Sequence, residues 1–201
     1  MKTVAPLFIR IRFVSSLVCM LLGTTHAFCS TAITLDLPEI SKRADIIADV
    51  TVQSTSSYWT SPAGGKSIHT LVNFTVNQVL KGEPSSKLSL DFLGGQVGNR
   101  ALKVPGIPQF APEEHYIIFS YAPDKAMACP ILGLDQGALR IVHDNESNVD
   151  RVFRHWGQPV SERNDFKSRI PIAPGVTTRD YLRSADTVDR CLERIRQSLN
   201  Q

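Results

Sequence analysis

Residues 44–82 contain two segments with the composition of β-strands, separated by a polar loop. The first segment, residues 45–54, has three branched side chains that can supply a buried face: Ile47, Val50 and Val52. The second segment, residues 68–80, nearly alternates and places these residues on one face: Thr70, Val72, Phe74, Val76 and Gln78. Because period-two patterning with β-branched and aromatic residues is typical of half-buried strands, the stretch predicts two strands joined by a long hairpin connection.

Further strands are predicted in segments that alternate or that form short apolar runs. They lie at residues 87–93, 115–121, 131–134, 137–143 and 148–153. Asp36 is a candidate N-cap for a short helix at 35–43, and a long amphipathic helix is expected at 177–199. Six or seven short strands with these helices predict a mainly β fold, which we expect to be a small OB-like β-barrel with a short N-terminal helix and a long C-terminal helix.

Glycine and proline divide the rest of the chain. Residues 94–112 are predicted to form an irregular loop. Residues 157–176 are predicted to be a surface linker, because they have no clear period and contain three prolines: Pro159, Pro171 and Pro174. We therefore expect a β-barrel domain at 33–156 and a helix at 177–201 that packs on the barrel or is bridged to it.

The N-terminus has the three parts of a secretory signal peptide. Three basic residues come first: Lys2, Arg10 and Arg12. An apolar run at 13–23 follows, and small residues allow cleavage after Ala27 or as late as Ala32. The run is shorter than the ~20 residues that a membrane-spanning helix requires. Residues 1–27 are therefore predicted to be removed during export to the periplasm or the extracellular space, leaving no membrane span.

The charge of the chain is concentrated in that N-terminal segment. The formal net charge is +3, and the segment contains three basic residues and no acidic ones, which leaves 19 basic against 19 acidic residues in the body of the protein. Because proteins that bind nucleic acids usually carry a basic surface, this balance argues against a nucleic-acid partner.

The cysteines leave two pairings open. Cleavage after Ala27 retains Cys29, Cys129 and Cys191, and an odd number in an exported protein indicates a free thiol or an intermolecular bond. Cleavage after Ala32 leaves only Cys129 and Cys191. We expect a disulfide between these two, which an oxidising compartment permits and which would tie the C-terminal helix to the barrel. A bond between Cys29 and Cys129 is the alternative.

The sequence contains no specific catalytic or metal-binding motif. The histidines after the signal segment are scattered and lack the spacing of a zinc site: His69, His115, His143 and His155. No Gly-x-Ser-x-Gly motif of a serine hydrolase is present. The run from Gly94 to Gly98 has the composition of a phosphate-binding loop but does not open a helix, which favours backbone freedom at a barrel corner. No metal, no cofactor and no enzymatic activity are therefore predicted.

Two aromatic residues, Tyr58 and Trp59, lie in the predicted loop at 54–66. Exposed aromatic side chains on loops are typical anchors of binding interfaces. The alternative is that Trp59 folds back onto the barrel as a lid. The candidate ligand-binding residues are Tyr58, Trp59, Gly94, Gly95 and Gln96.

Two short motifs lie at the start and the end of the two-strand stretch: Ala44-Asp45-Ile46-Ile47 and Val79-Leu80-Lys81-Gly82. Together they resemble the netrin-like module, a family of OB-type barrels that includes the tissue inhibitors of metalloproteinases. Later segments resemble a group of uncharacterised exported bacterial proteins: Gly94-Gly95, residues 104–108, residues 114–119, Cys129-Pro130-Ile131 and residues 136–141. The resemblance implies an OB-type barrel in an exported protein and implies no activity.

The sequence differs from the metalloproteinase inhibitors at the residues that inhibit the protease. In that family the chain begins with Cys-x-Cys, whose terminal amine and carbonyl chelate the zinc of the protease, whereas Cys29 is followed by Ser30 and Thr31 here. We therefore expect a non-catalytic binding module that recognises a protein or a surface glycan through its loops. One alternative is a protease inhibitor without the zinc chelator. A second is a hydrolase that uses dispersed acid and base groups: Asp91, Glu114 and His115.

Overall fold

A computed structural model describes residues 34–61, 65–162 and 177–201 of the chain. The helices in these ranges are α1 (Leu37–Arg43), α2 (Thr178–Arg183) and α3 (Val188–Leu199), with a 3-10 turn at Leu134–Gly137. The strands are β1 (Ile46–Thr60), β2 (Ser67–Lys81), β3 (Lys87–Leu93), β4 (Gly95–Val97), β5 (Arg100–Leu102), β6 (His115–Ser120), β7 (Ala138–Asp144) and β8 (Val149–Arg154). The predicted signal segment, Cys29 and most of the predicted linker lie outside the described residues.

Six strands form one antiparallel sheet in the order β3-β2-β1-β6-β7-β8, and β4 pairs with β5 in a separate hairpin. The mainly β class predicted from the sequence is confirmed. Within the described residues β3 and β8 are the two edges of the sheet and do not pair with each other, so the sheet is open. The predicted strand at 131–134 is reduced to a single bridge between Ile131 and Ser120.

The N-terminal helix forms as its sequence indicates. The Asp36 carboxylate accepts a hydrogen bond from the backbone N–H of Glu39 at 2.9 Å, which satisfies one of the free donors of the first turn. Pro38 lies in that first turn, where no backbone donor is needed. Leu37 and Ile40, three residues apart on one face, are buried against the sheet.

The central part of the sheet is buried on both faces. One face packs against α1 and α3 in what we term the helix-side core: Ile47, Ile117, Phe119, Leu139, Ile141 and Val152 with Leu37, Ile40, Cys191, Leu192 and Ile195. The other face forms the strand-side core: Ala48, Val50, Val52, Val72, Phe74, Leu88, Leu90, Phe92, Tyr116 and Ile118. Adjacent residues of a strand point to opposite faces, which is why Ile117 and Ile118 belong to different cores. The same alternation separates Ile47 from Val50.

The predicted bridge between Cys129 and Cys191 is wrong. Both residues are buried free thiols, and Cys129 lies in the strand-side core whereas Cys191 lies in the helix-side core. The sheet separates the two sulfur atoms, and a disulfide requires close Cβ atoms. Burial raises the pKa of the Cys129 thiol to about 11 and that of the Cys191 thiol to about 12, which keeps both protonated.

The C-terminal segment forms two helices rather than the single predicted one. The Thr177 hydroxyl caps α2, and the Thr187 hydroxyl accepts from the N–H of Arg190 at 3.3 Å and caps α3. Between the helices the chain runs along β8, where the N–H of Val152 donates to the carbonyl of Asp186 at 3.0 Å. β8 is an edge strand, and the backbone groups on its outer side need hydrogen-bond partners. The residues around Asp186 supply such a partner in a non-helical conformation, and this interrupts the predicted helix. No described helix has the length and hydrophobicity needed to cross a membrane.

The start of the predicted linker also covers β8. Gln158, Pro159 and Val160 are buried rather than on the surface. The N–H of Val160 donates to the carbonyl of Val152 at 3.0 Å, and the N–H of Asp186 donates to the carbonyl of Val160 at 2.7 Å. Residues 158–160 therefore pair with β8 and are not part of a solvated linker.

Candidate functional site

The aromatic pair predicted to lie in a loop lies in strands. β1 continues to Thr60 and β2 begins at Ser67, so that Tyr58 pairs with His69 and Trp59 with Ile68. The threonine and aromatic residues of this segment favour strand conformation, which overrides the loop suggested by its polarity. We use the term ribbon for residues 54–60 of β1 together with residues 67–73 of β2.

The structure places Tyr58 and Trp59 on opposite faces of the ribbon, because successive side chains alternate. The Tyr58 side chain is 40% exposed, and its hydroxyl donates to Asp91 Oδ1 at 2.9 Å. Burial is the main cause that raises the pKa of Tyr58, and the hydrogen bond to this carboxylate raises it further. Trp59 is 43% exposed on the other face. The two residues therefore do not form one aromatic tip, and they do not share a binding surface.

Gly94, Gly95 and Gln96 pack on the Trp59 face of the ribbon. The Thr70 hydroxyl donates to the carbonyl of Gly94 at 2.7 Å, and the N–H of Gln96 donates to the Ser57 hydroxyl at 3.3 Å. The two hydroxyl groups are themselves 2.9 Å apart. These bonds attach the chain after β3 to the side of the ribbon that carries Trp59.

Gly95 is required by this close approach. It has a φ angle of +130°, and a Cβ at this position would lie 2.5 Å from the Ser57 hydroxyl oxygen. A side chain would therefore be disfavoured both by the backbone conformation and by contact with the ribbon. The following residues form β4 and not the start of a helix, so the arrangement is not that of a phosphate-binding loop.

The hairpin of β4 and β5 lies in a segment whose glycines and prolines predict an irregular loop, and that prediction is wrong here. Its turn is Gly98-Asn99, and Gly98 has a φ angle of +60°. A two-residue Gly-Asn turn between short strands is a recognised hairpin signal and could have revealed the element. The hairpin lies against β1 and β2 and ends at Leu102, which is 37% exposed.

Between the ribbon and residues 94–110 lies a groove of about 390 Å³. Its apolar lining consists of Val72, Phe92, Leu93, Leu102, Val104, Ile107, Pro108 and Phe110, and its polar lining includes Ser57, Thr70, Gln96 and Lys103. Phe110 fixes one wall, because its ring contacts the rings of Phe74, Phe92 and Tyr116 at centroid distances of 5.3, 5.3 and 5.0 Å. Concave, mainly apolar surfaces with a few polar groups are typical of binding sites.

A wider and shallower depression of about 910 Å³ continues from the groove, since both are lined by Ala101 and Leu102. We call it the Trp59 depression; its other lining residues are Trp59, Lys66, Ser67, Ile68, Asn99 and Arg100. Lys66, Arg100 and Lys103 give the combined surface a positive charge. No aspartate or glutamate of the described chain lines either part.

Of the predicted site residues, Trp59, Gly94, Gly95 and Gln96 are therefore close to one continuous surface, with Gly94 and Gly95 acting through the backbone. Tyr58 is separated from them by the ribbon. Its hydrogen-bond partner Asp91 lines another cavity together with His69, whose Nδ1 lies 2.6 Å from Asp91 Oδ2.

The acid and base groups of the hydrolase alternative gather only in part: Glu114 and His115 line one depression of about 420 Å³ with His143 and Asp150, and Asp91 lies elsewhere. Asp91 is bonded to His69 and Tyr58, whereas His115 Nε2 lies 2.5 Å from Asp49 Oδ1 on another part of the sheet. Glu114 accepts a hydrogen bond from the Tyr116 hydroxyl at 2.8 Å and forms an ion pair with Arg140. Among the described residues no group of three or more histidine, cysteine, aspartate or glutamate side chains could hold a metal ion.

Comparison with known proteins does not add a relative. No protein-family model matches the chain, and no curated protein matches it. The netrin-like resemblance therefore remains a prediction.

Proposed function

We propose that this protein is an exported, non-catalytic binding module that recognises a protein partner or a surface glycan through the ribbon and the β4–β5 hairpin. The observation that carries the proposal is the position of Trp59, which is 43% exposed at the mouth of a continuous groove and depression. Tryptophan in such a position is typical of residues that dominate binding energy.

The surroundings of Trp59 support a role in recognition. Trp59 belongs to neither hydrophobic core, whereas its cross-strand neighbour Ile68 is buried. The ribbon under it is held by paired backbone groups and by the hydroxyl groups of Ser57 and Thr70. A binding residue on a rigid strand loses little conformational entropy when it meets a partner.

Together with this function we propose an OB-like barrel fold. The N–H of Leu93, at the end of β3, donates to the carbonyl of Ala128 at 2.8 Å, and Ile131 bridges to Ser120 of β6. The segment at 128–132 thus contacts both ends of the β3-β2-β1-β6 array. This supports an OB-like barrel around the strand-side core, of the kind that the netrin-like resemblance implies. Amide exchange at Leu93 as slow as in central strands is expected; rapid exchange would contradict closure.

Site-specific photo-crosslinking tests the binding proposal. A benzophenone amino acid is placed at position 59 or 102, with position 79 as the matched control, since Val79 is also an exposed apolar residue on a strand. Cells that export the protein are irradiated, and adducts are detected as a discrete shift in mass. We expect adducts from positions 59 and 102 only. Equal labelling at position 79, or no adducts at any position, would contradict the proposal.

The other two hypotheses remain predictions from the sequence. A protease inhibitor would reduce the activity of members of a protease panel, and a hydrolase would turn over model esters or glycosides.

A further inference from the structure

We propose that the occupant of the groove and the Trp59 depression is an acidic, extended segment of a partner protein, paired with the free edge of β5. This inference rests on the proposed function and names the class of partner. Three features carry it: the sign of the charge, an unpaired strand edge and an apolar groove beside that edge.

The charge of the surface has one sign. Lys66, Arg100 and Lys103 line it without an acidic neighbour in the lining, and no ion pair of the described chain involves them. Several other arginines pair with carboxylates, for example Arg140 with Glu114 at 2.9 Å and Arg179 with Glu146 at 2.7 Å. A local excess of cations in a nearly neutral body complements an acidic partner and steers its approach.

The edge of β5 is available for strand addition. β5 pairs with β4 on one side only, and all three of its residues are exposed. In the described chain no backbone hydrogen bond joins its other edge to a further segment. An unpaired edge of this kind accepts an extended peptide by main-chain hydrogen bonds, while neighbouring pockets select alternate side chains.

The groove supplies the pocket. It is lined by Phe92 and Phe110 and has a volume of about 390 Å³. This volume is enough for one large apolar side chain with solvent beside it. Trp59 and Leu102 lie exposed at the other end of the surface and offer a second apolar contact. The expected partner segment therefore alternates acidic and apolar residues.

These features favour a peptide over an acidic glycan. A glycan could stack on Trp59 and pair with Arg100, but it has no backbone amide series to match the edge of β5. A peptide uses the edge, the cations and the groove together, and the summed contacts give specificity.

The test uses soluble probes and the protein without its signal segment. The probe is a synthetic peptide of about eight residues, the length that spans a short strand and its flanks, in which glutamate alternates with phenylalanine and valine. A matched peptide carries lysine at every glutamate position, and oligogalacturonate serves as an acidic glycan. Binding is followed by amide chemical shifts in the protein.

We expect the glutamate peptide to shift amides at 59, 66–68 and 99–103 and to bind at least about tenfold more tightly than the lysine peptide. Arg100→Glu should weaken binding about tenfold or more, and Arg100→Lys should weaken it less. Lys87→Glu, an exposed charge reversal on β3, is the control and should leave binding unchanged.

Three results would overturn the inference: binding of oligogalacturonate but not of the peptide, equal binding of both peptides, or no binding of the glutamate peptide at about 1 mM. Spectra that are unchanged outside the site establish that each variant is folded. If crosslinks form at position 59 and the peptide does not bind, the binding module stands and the acidic-peptide inference fails. If crosslinks are also absent, both fail.

Discussion

The two halves of β1 have the same partner strand and very different surroundings. Residues 46–52 are almost entirely buried, whereas residues 53–60 are exposed or half-buried. Both halves pair with β2, but only residues 46–51 also pair with β6. Strand pairing by itself therefore does not bury a strand. The elements that flank and cover it do, and where they end the chain becomes available for recognition.

The covering elements differ in kind as well as in extent. The inner half is enclosed by β6 and by the two hydrophobic cores, with α1 and α3 over one face. The outer half is covered on one face only, by the β4–β5 hairpin, which hydroxyl hydrogen bonds attach to it. The inner half should therefore determine stability, and the outer half should determine binding.

The largest effect is expected in the inner half. Ile47 is fully buried in the helix-side core, so Ile47→Ala removes apolar contacts and leaves a cavity. We expect it to lower the free energy of unfolding by about 2–5 kcal/mol, measured by urea denaturation. Ser56→Ala, an exposed position in the outer half, is the control and should change it by less than about 0.5 kcal/mol. Similar losses in the free energy of unfolding at both positions would contradict the distinction between the two halves of β1.

A smaller effect is expected where the hairpin meets the ribbon. Gly95→Ala introduces a Cβ against the Ser57 hydroxyl at a positive φ angle, and we expect it to cost about 1–3 kcal/mol. Gly65→Ala is the matched control, because Gly65 has a comparable φ angle of +113° but has open space around it. Denaturation curves should show the greater loss for Gly95→Ala. Equal losses would mean that backbone conformation and not close packing explains Gly95.

The free energy of unfolding is expected to depend on pH through His155, which is bonded to Gln109 in the wall of the groove. Burial lowers the pKa of His155 below its ordinary value of 6.5, although nearby Glu114 opposes this; His155 Nε2 accepts from the N–H of Gln109 at 3.3 Å. The unfolded chain therefore binds more protons than the folded one just below pH 6.5, and the stability contributed by neutral His155 is lost as the pH falls through that value.

This pH effect is measured as the change in the free energy of unfolding between about pH 7.5 and about pH 5. His155→Gln keeps an acceptor but does not titrate, so its loss on acidification should be smaller than that of the unchanged protein. His143→Gln, at an exposed histidine, serves as the control. A loss in His155→Gln as large as in the unchanged protein would contradict the prediction.

The smallest stability effect is expected at Trp59. Because its side chain belongs to neither core, Trp59→Ala should change the free energy of unfolding by less than about 0.5 kcal/mol. Ile68→Ala, at the buried position opposite, should cost about 2–5 kcal/mol. A large loss in Trp59→Ala would indicate that Trp59 is a structural lid and would weaken the proposed binding role.

Several elements could be predicted because their signals are local. α1 carries its own cap, and β3 alternates strictly over the seven residues that form it. The hairpin of β7 and β8 surrounds a polar turn, as expected from its sequence. The candidate residues Trp59, Gly94, Gly95 and Gln96 also came from local composition. Their grouping on one surface did not, because it depends on how the β4–β5 hairpin folds back on the ribbon.

Capping and alternation act within a few residues, so the mainly β class, the N-cap of α1 at Asp36 and most strand positions could be predicted from the sequence. Which residues share a face of the sheet could not be predicted in this way. The tertiary structure placed Tyr58 and Trp59 apart, separated Cys129 from Cys191 across the sheet, and divided the C-terminal helix at Thr187. These outcomes depend on which elements cover each face and edge of the sheet, and those contacts join residues that are distant in the chain.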